Sequence, residues 1–143
     1  MQDWLKMSAA ALGRGIEAGE IDPVDLAQTY LDAASAHPMS HRIYARLTPD
    51  RAMAEAAAAS ARAKAGQRLS ALDGVPISWK DLFDTAGIAT EAGSALLKDR
   101  VPSADAEVLR VSTMMGTVCI GKTHMSELAF SGLGYNPVTE TSP

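Results

Sequence analysis

The chain has 143 residues, with 13 Lys+Arg against 17 Asp+Glu and a formal net charge of −4. The length suits about one domain, and 47% apolar with 21% charged residues is a globular composition that argues against wholesale disorder. The mild acidity argues against a chain built to hold nucleic-acid phosphates or anionic lipid, and 5% aromatic residues are too few for a single-strand-binding platform.

The start, Met1 to Met7, lacks the basic and apolar pattern of a secretory signal, and no run is long enough for a membrane span. One cysteine cannot form an internal disulfide and fits a reducing compartment, so a cytoplasmic protein is expected. Ser8 to Ala18 reads as a helix, capped by Ser8 and stopped by Gly19. Asp22-Pro23 is a second cap-plus-proline start, and Ala27, Tyr30, Leu31 and Ala34 form one buried stripe before His37-Pro38 ends the helix. Ile43, Ala45 and Leu47 alternate with polar neighbours as a short half-exposed strand. Thr48-Pro49 opens an alanine-rich helix from Arg51 to Lys64, closed by Gly66, which is expected at the surface with a small-residue face.

The second half changes character. Asp73-Gly74 is a turn, and Val75 to Trp79 is a short apolar strand whose Pro76 marks its beginning or an edge. Ser103 is expected to cap a helix from about Ala104 to Met115 that Gly116 ends, and Thr117 to Ile120 reads as a buried strand. Strand, helix and strand in that order predict an α/β layer architecture without an internal boundary. The final residues, Tyr135 to Pro143, read as a turn-rich connection.

Several residues invite chemistry. Gly116 to Thr123 matches the phosphate-loop pattern G-x-x-x-x-G-K-[ST], but a helix precedes it and the middle positions are strand, so its amides belong to a sheet ladder. Cys119 lies mid-strand as a small core residue, without the exposure a reactive thiol needs. His37 and His41 are four apart, but Pro38 between them removes the shared helical face that metal binding would use, and His124 has no ligand partner nearby. Gly93-Ser94 and Ser131-Gly132 are turn chemistry, and no G-x-S-x-G elbow occurs. Lys80 remains. It follows directly on the apolar strand, in a region set up to be buried, where a lysine must be paired or become a usable general base.

Leu72-Asp-Gly-Val-Pro-Ile-Ser-Trp-Lys-Asp-Leu-Phe83, then Thr90-Glu-Ala-Gly-Ser94, then Asp105-Ala106 and Ile120-Gly-Lys-Thr-His-Met-Ser-Glu-Leu-Ala129 closely resemble the amidase signature family. The clear resemblance runs from about Leu72 to Pro137, and the helical start from Ser8 to Ala36 is compatible with it. It implies an α/β fold with a mixed central sheet flanked by helices, residues 1–143 being the N-terminal part of a single amidase domain. It further implies a hydrolase of carbon–nitrogen amide bonds using a Ser-cisSer-Lys triad. In that scheme Lys80, with a serine in a cis peptide, takes the proton from the nucleophilic serine and returns it to the departing amine. Asp81 matches the residue that follows the family's lysine and is expected to support it structurally.

Two residues depart from the pattern. His124 stands where the family usually has asparagine, and Trp79 where it has a small aliphatic residue. The Gly/Ser-rich segment carrying both serines is expected shortly after the chain stops, so residues 1–143 alone are expected to be inactive. The resemblance implies a small-molecule amide substrate and no metal, nucleotide or organic cofactor. No membrane partner is expected, and no nucleic-acid partner unless the protein is the amidase component of a tRNA-dependent amidotransferase; the full-length protein could form a homodimer. A phosphate-loop nucleotide binder and a non-catalytic binding fragment are the readings from other classes.

Overall fold

The computed structural model of the protein describes residues 3–143. Helix α1 (Ala9–Glu17) begins at Ser8, whose hydroxyl accepts from the Ala11 amide, and the chain leaves it through Gly19 at φ +73°. Helix α2 (Pro23–Ala36) begins at Asp22, whose carboxylate accepts from the Val24 amide, and stops at His37. Both starts follow the cap chemistry legible in the sequence, because first-turn amides have no partner within the helix. A one-turn helix that the sequence did not indicate, α3 (Ser40–Ile43), then leads into strand β1 (Tyr44–Leu47).

Helix α4 (Pro49–Lys64) follows, and its start differs from expectation. Thr48 makes no capping bond; its hydroxyl donates instead to the Cys119 carbonyl at 2.8 Å. Beyond it come β2 (Pro76–Lys80), α5 (Glu107–Met114) and β3 (Val118–Thr123). Helix α5 starts at Glu107 and not near Ala104, with Ala106 and not Ser103 at the cap position. The reason lies in Asp105, whose carboxylate accepts a fork of bonds from Arg51 and one from the Ala86 amide at 2.7–2.9 Å, so a tertiary demand overrides the local cap. Strand β3 runs past Ile120 and takes in Gly121 and Lys122.

The strands form one mixed sheet in the order β1-β3-β2, with β3 antiparallel to β1 and parallel to β2. The β2–α5–β3 segment is therefore a parallel crossover unit, and helices flank the sheet, giving the expected α/β class. β3 is central and buried along nearly its whole length. The small-residue face of α4, Ala52, Ala56 and Ala59, is buried, and Ala52 and Ala56 close on Ala27 and Leu31 of α2 and Val118 and Ile120 of β3. A second cluster of Leu12, Ile16, Ile21, Leu26 and Val75 holds α1 to this layer. Residues 135–143 are irregular, anchored by Asn136, whose side-chain amide donates to the Gly93 and Met125 carbonyls at 2.8 Å each.

Asp73 ties the turn before β2 to α4. Its buried carboxylate accepts a fork from Arg62 at 2.6 and 2.8 Å and a bond from the Leu69 amide at 2.8 Å. Burial alone would raise this carboxyl, but the Arg62 guanidinium, the Leu69 amide and the charge of Arg68 hold it below the usual carboxylate range. A folded value below the unfolded one adds stability that is complete above the unfolded pKa of ~3.9 and is lost as pH falls through the folded value. Asp73→Asn is expected to cost about 3 kcal/mol at neutral pH. Urea unfolding at a series of pH values should show that deficit shrinking as the pH drops below about 4.

Candidate active site

Lys80 ends β2 opposite Thr123 of β3. The sequence places it in a region expected to be buried; in the structure it is half-buried and forms no ion pair among the described residues. The lysine removed from water is Lys122, with no exposed surface. Topology explains the exchange. β2 lies at one side of the described sheet, whereas β3 lies between its neighbours and is buried.

Lys122 is held by groups that converge from separate segments. Its Nζ donates to Thr90 Oγ1 at 2.8 Å and lies 3.3 Å from Asp81 Oδ1. Arg46 of β1 reaches the same Asp81 oxygen with Nη1, which also donates to the Ala89 carbonyl at 2.6 Å, while its Nη2 bonds Glu91 Oε2 at 2.7 Å. Arg46, Lys122, Asp81 and Glu91 thus form a charge-balanced quartet behind the end of β2. Burial pushes the Lys122 ammonium below the usual lysine range; Asp81 opposes that shift and the Arg46 charge adds to it.

Asp81 does more than accept these cations. Its amide donates to the Thr123 carbonyl and its carbonyl accepts from the Ala92 amide, both at 3.0 Å, and Oδ2 accepts from the Glu91 amide at 3.2 Å. Ala92 (φ +49°) passes the chain of bonds on by accepting from the amide of Leu128, also at φ +49°. Left-handed backbone at non-glycine residues persists only where its surroundings hold it, and here two such residues are bonded together beside the end of β2. Ser94 is buried in the same loop, its hydroxyl donating to Glu127 Oε1 at 2.7 Å and accepting from the Leu96 amide at 3.3 Å.

The pleat divides this region. Successive side chains along β2 alternate, so Ser78 and Lys80 share one face while Trp79 takes the other and packs edge-on against Phe83 at 5.4 Å. The Tyr44 hydroxyl crosses β3 to meet Ser78 Oγ at 3.0 Å. It crosses over Gly121, where an added Cβ would lie 2.9 Å from the Tyr44 ring and 3.0 Å from the Arg46 carbonyl. The Gly-Lys-Thr triplet that mimics a phosphate loop therefore has a sheet role: glycine admits the tyrosine and lysine pairs with Asp81.

The remaining candidates do not come together. Cys119 is buried; desolvation pushes its thiol up, against a hydrogen bond with Thr48 that lowers it. His41 lies in α3 while His37 ends α2, and His124 Nε2 meets the His41 carbonyl at 3.0 Å, so the histidine rings do not converge. Among the described residues no group of three or more His, Cys, Asp or Glu side chains could hold a metal ion, and no helix is long and apolar enough to cross a membrane.

A model of the Amidase family matches residues 25–142. The chain belongs to the amidase family. The A subunit of glutamyl-tRNA(Gln) amidotransferase from Marinobacter nauticus is 38% identical over 122 residues, covering 85% of this chain and 25% of that protein. Its namesake from Thermobifida fusca is 36% identical over 129 residues, 90% of this chain and 26% of that one. The native peptide amidase of Stenotrophomonas maltophilia superposes with a TM-score of 0.86 at 30% identity, over 98% of this chain and 30% of that one. The chain thus spans about a quarter of the length of the curated relatives it matches.

Lys80, Asp81 and the rest of the quartet all lie inside the family match. Sequence reasoning misses Arg46, which reads as the polar side of a half-exposed strand, and gives no role to Thr90, Glu91 or Lys122. A lysine in an otherwise apolar strand is the available signal, because a buried ammonium requires a carboxylate elsewhere. Gly121→Ala is expected to force the Tyr44 ring off β3 and cost about 1–3 kcal/mol. Thermal unfolding of the variant, with Tyr44→Phe as a control that keeps the ring and loses only the hydroxyl, measures this.

Proposed function

We propose that the protein carrying this chain hydrolyses carbon–nitrogen amide bonds with Lys80 as its base. One observation carries the reading: within the stretch matched by the amidase family, Lys80 ends β2 as a half-buried amine with no carboxylate bound to it among the described residues. An amine can accept a proton only in its neutral form, and a bound carboxylate would stabilise the ammonium instead.

The chemistry follows from that placement. The nucleophilic serine and the cis serine belong to a Gly/Ser-rich segment that is not among these 143 residues, which form the N-terminal part of one amidase domain. As the serine oxygen bonds to the amide carbon, its proton passes through the cis serine to Lys80 Nζ. The same proton goes to the leaving nitrogen as the carbon–nitrogen bond breaks. Water then cleaves the acyl ester, releasing the acid and regenerating the serine. Asp81 acts by holding the backbone that carries Lys80, through its amide, carbonyl and carboxylate. The substrate is a small linear amide and the chemistry needs no cofactor. The compartment is the cytoplasm, where the one buried cysteine stays reduced.

A second reading is favoured by the names of its relatives, which are amidotransferase A subunits. There the same triad releases ammonia for transfer within a multi-subunit complex. Purification of the complete protein separates the two: a single polypeptide active on small amides supports the hydrolase, whereas copurifying subunits and a need for ATP and acylated tRNA support the amidotransferase. For either, Lys80→Ala in the complete protein is expected to lower kcat about 10³-fold. Amide turnover within a few-fold of wild type would remove Lys80 from the reaction.

A further inference from the structure

Asp81 is the residue next to Lys80 along the chain, and its carboxylate, turned away from Lys80 by the pleat, is occupied by Arg46 and Lys122. An apolar side chain at position 122 would fill the core without the desolvation that a buried ammonium carries. The charge is therefore explained by what it contacts, and its only charged contact within 4 Å among the described residues is Asp81. We infer that Lys122 is a positioning residue for Lys80: together with Arg46 it occupies the Asp81 carboxylate from the core side, which balances the negative charge adjoining Lys80 along the chain and pins the end of β2. This inference rests on the reading of Lys80 as the base.

The electrostatic balance shows why one cation would not suffice. Arg46 divides its guanidinium between Asp81 and Glu91, so with Lys122 removed two carboxylates face one cation. The excess negative charge is then shared by Asp81 and Glu91, the first of them one residue along the chain from Lys80. The other ionisable groups nearby do not take Lys122's place. Asp84 and Asp105 feel the Lys122 charge at longer range, and each has its own arginine, Arg100 and Arg51. Cys119 lies further back on β3, and His124 lines the small cavity that Asp81, Arg46 and Glu91 also border, its ring turned to the His41 carbonyl. The downward push that burial exerts on Lys122, opposed mainly by Asp81, agrees with an ammonium kept charged by this one carboxylate.

The test uses the complete protein and reads Lys80 directly, by pH-dependent modification with trinitrobenzenesulfonate followed by peptide mass spectrometry, alongside kcat and KM on a small amide across pH. Lys122→Met is expected to raise the midpoint of Lys80 modification by about one pH unit. It should lower kcat near neutrality about tenfold with KM within about twofold, since the ammonium form is then favoured. Lys122→Arg, which restores a cation, should return the midpoint to the wild-type value. The double variant D81N/K122M leaves only the Arg46–Glu91 pair, and its midpoint should also return. A folded Lys122→Met protein with the wild-type midpoint overturns the inference, as does a double variant that stays displaced. If Lys122→Met does not fold, Asp81→Asn reads the same coupling in reverse: a lower midpoint supports the inference and an unmoved one overturns it. The modification readout needs no turnover, so a failure of Lys80 as the base, seen as activity retained in Lys80→Ala, is distinguishable from a failure of Lys122 as its positioning residue.

Discussion

The Asp81 carboxylate is the point at which this structure is joined. β1 delivers Arg46 to it, β3 delivers Lys122, the 89–91 loop closes over it, and Asp81 itself follows Lys80 at the end of β2. A buried ion pair is poor at adding net stability but severe when broken, because the partner left behind keeps its charge away from water. Such a group serves registration more than strength: it penalises any arrangement of the three strands in which the four charges fail to meet. The local backbone is fixed to match, with the Asp81 amide bonded to Thr123 and its carbonyl to Ala92.

That constraint separates two lysines that the sequence presents on similar terms. Each lies at the end of, or within, an apolar run, and each is followed by a polar residue. The strand order decides their fates, since β3 is enclosed by its neighbours and β2 is paired on one side only in the described sheet. The pleat then sets Lys80 on the face of Ser78, which the Tyr44 hydroxyl reaches over Gly121, while Asp81 turns to the cations behind. The amine proposed to exchange protons is thus left without a carboxylate, and the amine that must stay charged is given one.

Much of this is legible in the sequence where the cause is local. The Asp22-Pro23 start, the Ser8 cap, the alternation around Ala45 and the short strand ending near Lys80 depend on neighbours within a few residues. The phosphate-loop pattern is excluded on the same grounds, because a helix before Gly116 and a strand after it are local facts. What is not legible depends on distant partners. Ser103 looks like a cap until Arg51, far back in the chain, draws Asp105 away from the helix start. Thr48 looks like a cap until the Cys119 carbonyl takes its hydroxyl. Arg46 looks like the polar side of a half-exposed strand, and Lys122 has no visible role, until positions 81 and 91 are brought between them. The family match encloses Lys80, and the quartet gives a physical reason why that lysine is the one left accessible.

The separation of the two lysines is tested most directly by amine modification of the folded wild-type protein at mildly alkaline pH, followed by peptide mapping. Lys80 is expected to react in the native state, more slowly than exposed Lys64, and Lys122 only after unfolding. Modification of Lys122 in the native protein at a rate like that of Lys64, or protection of Lys80 in its place, would contradict the buried quartet and the assignment of the two lysines that follows from it.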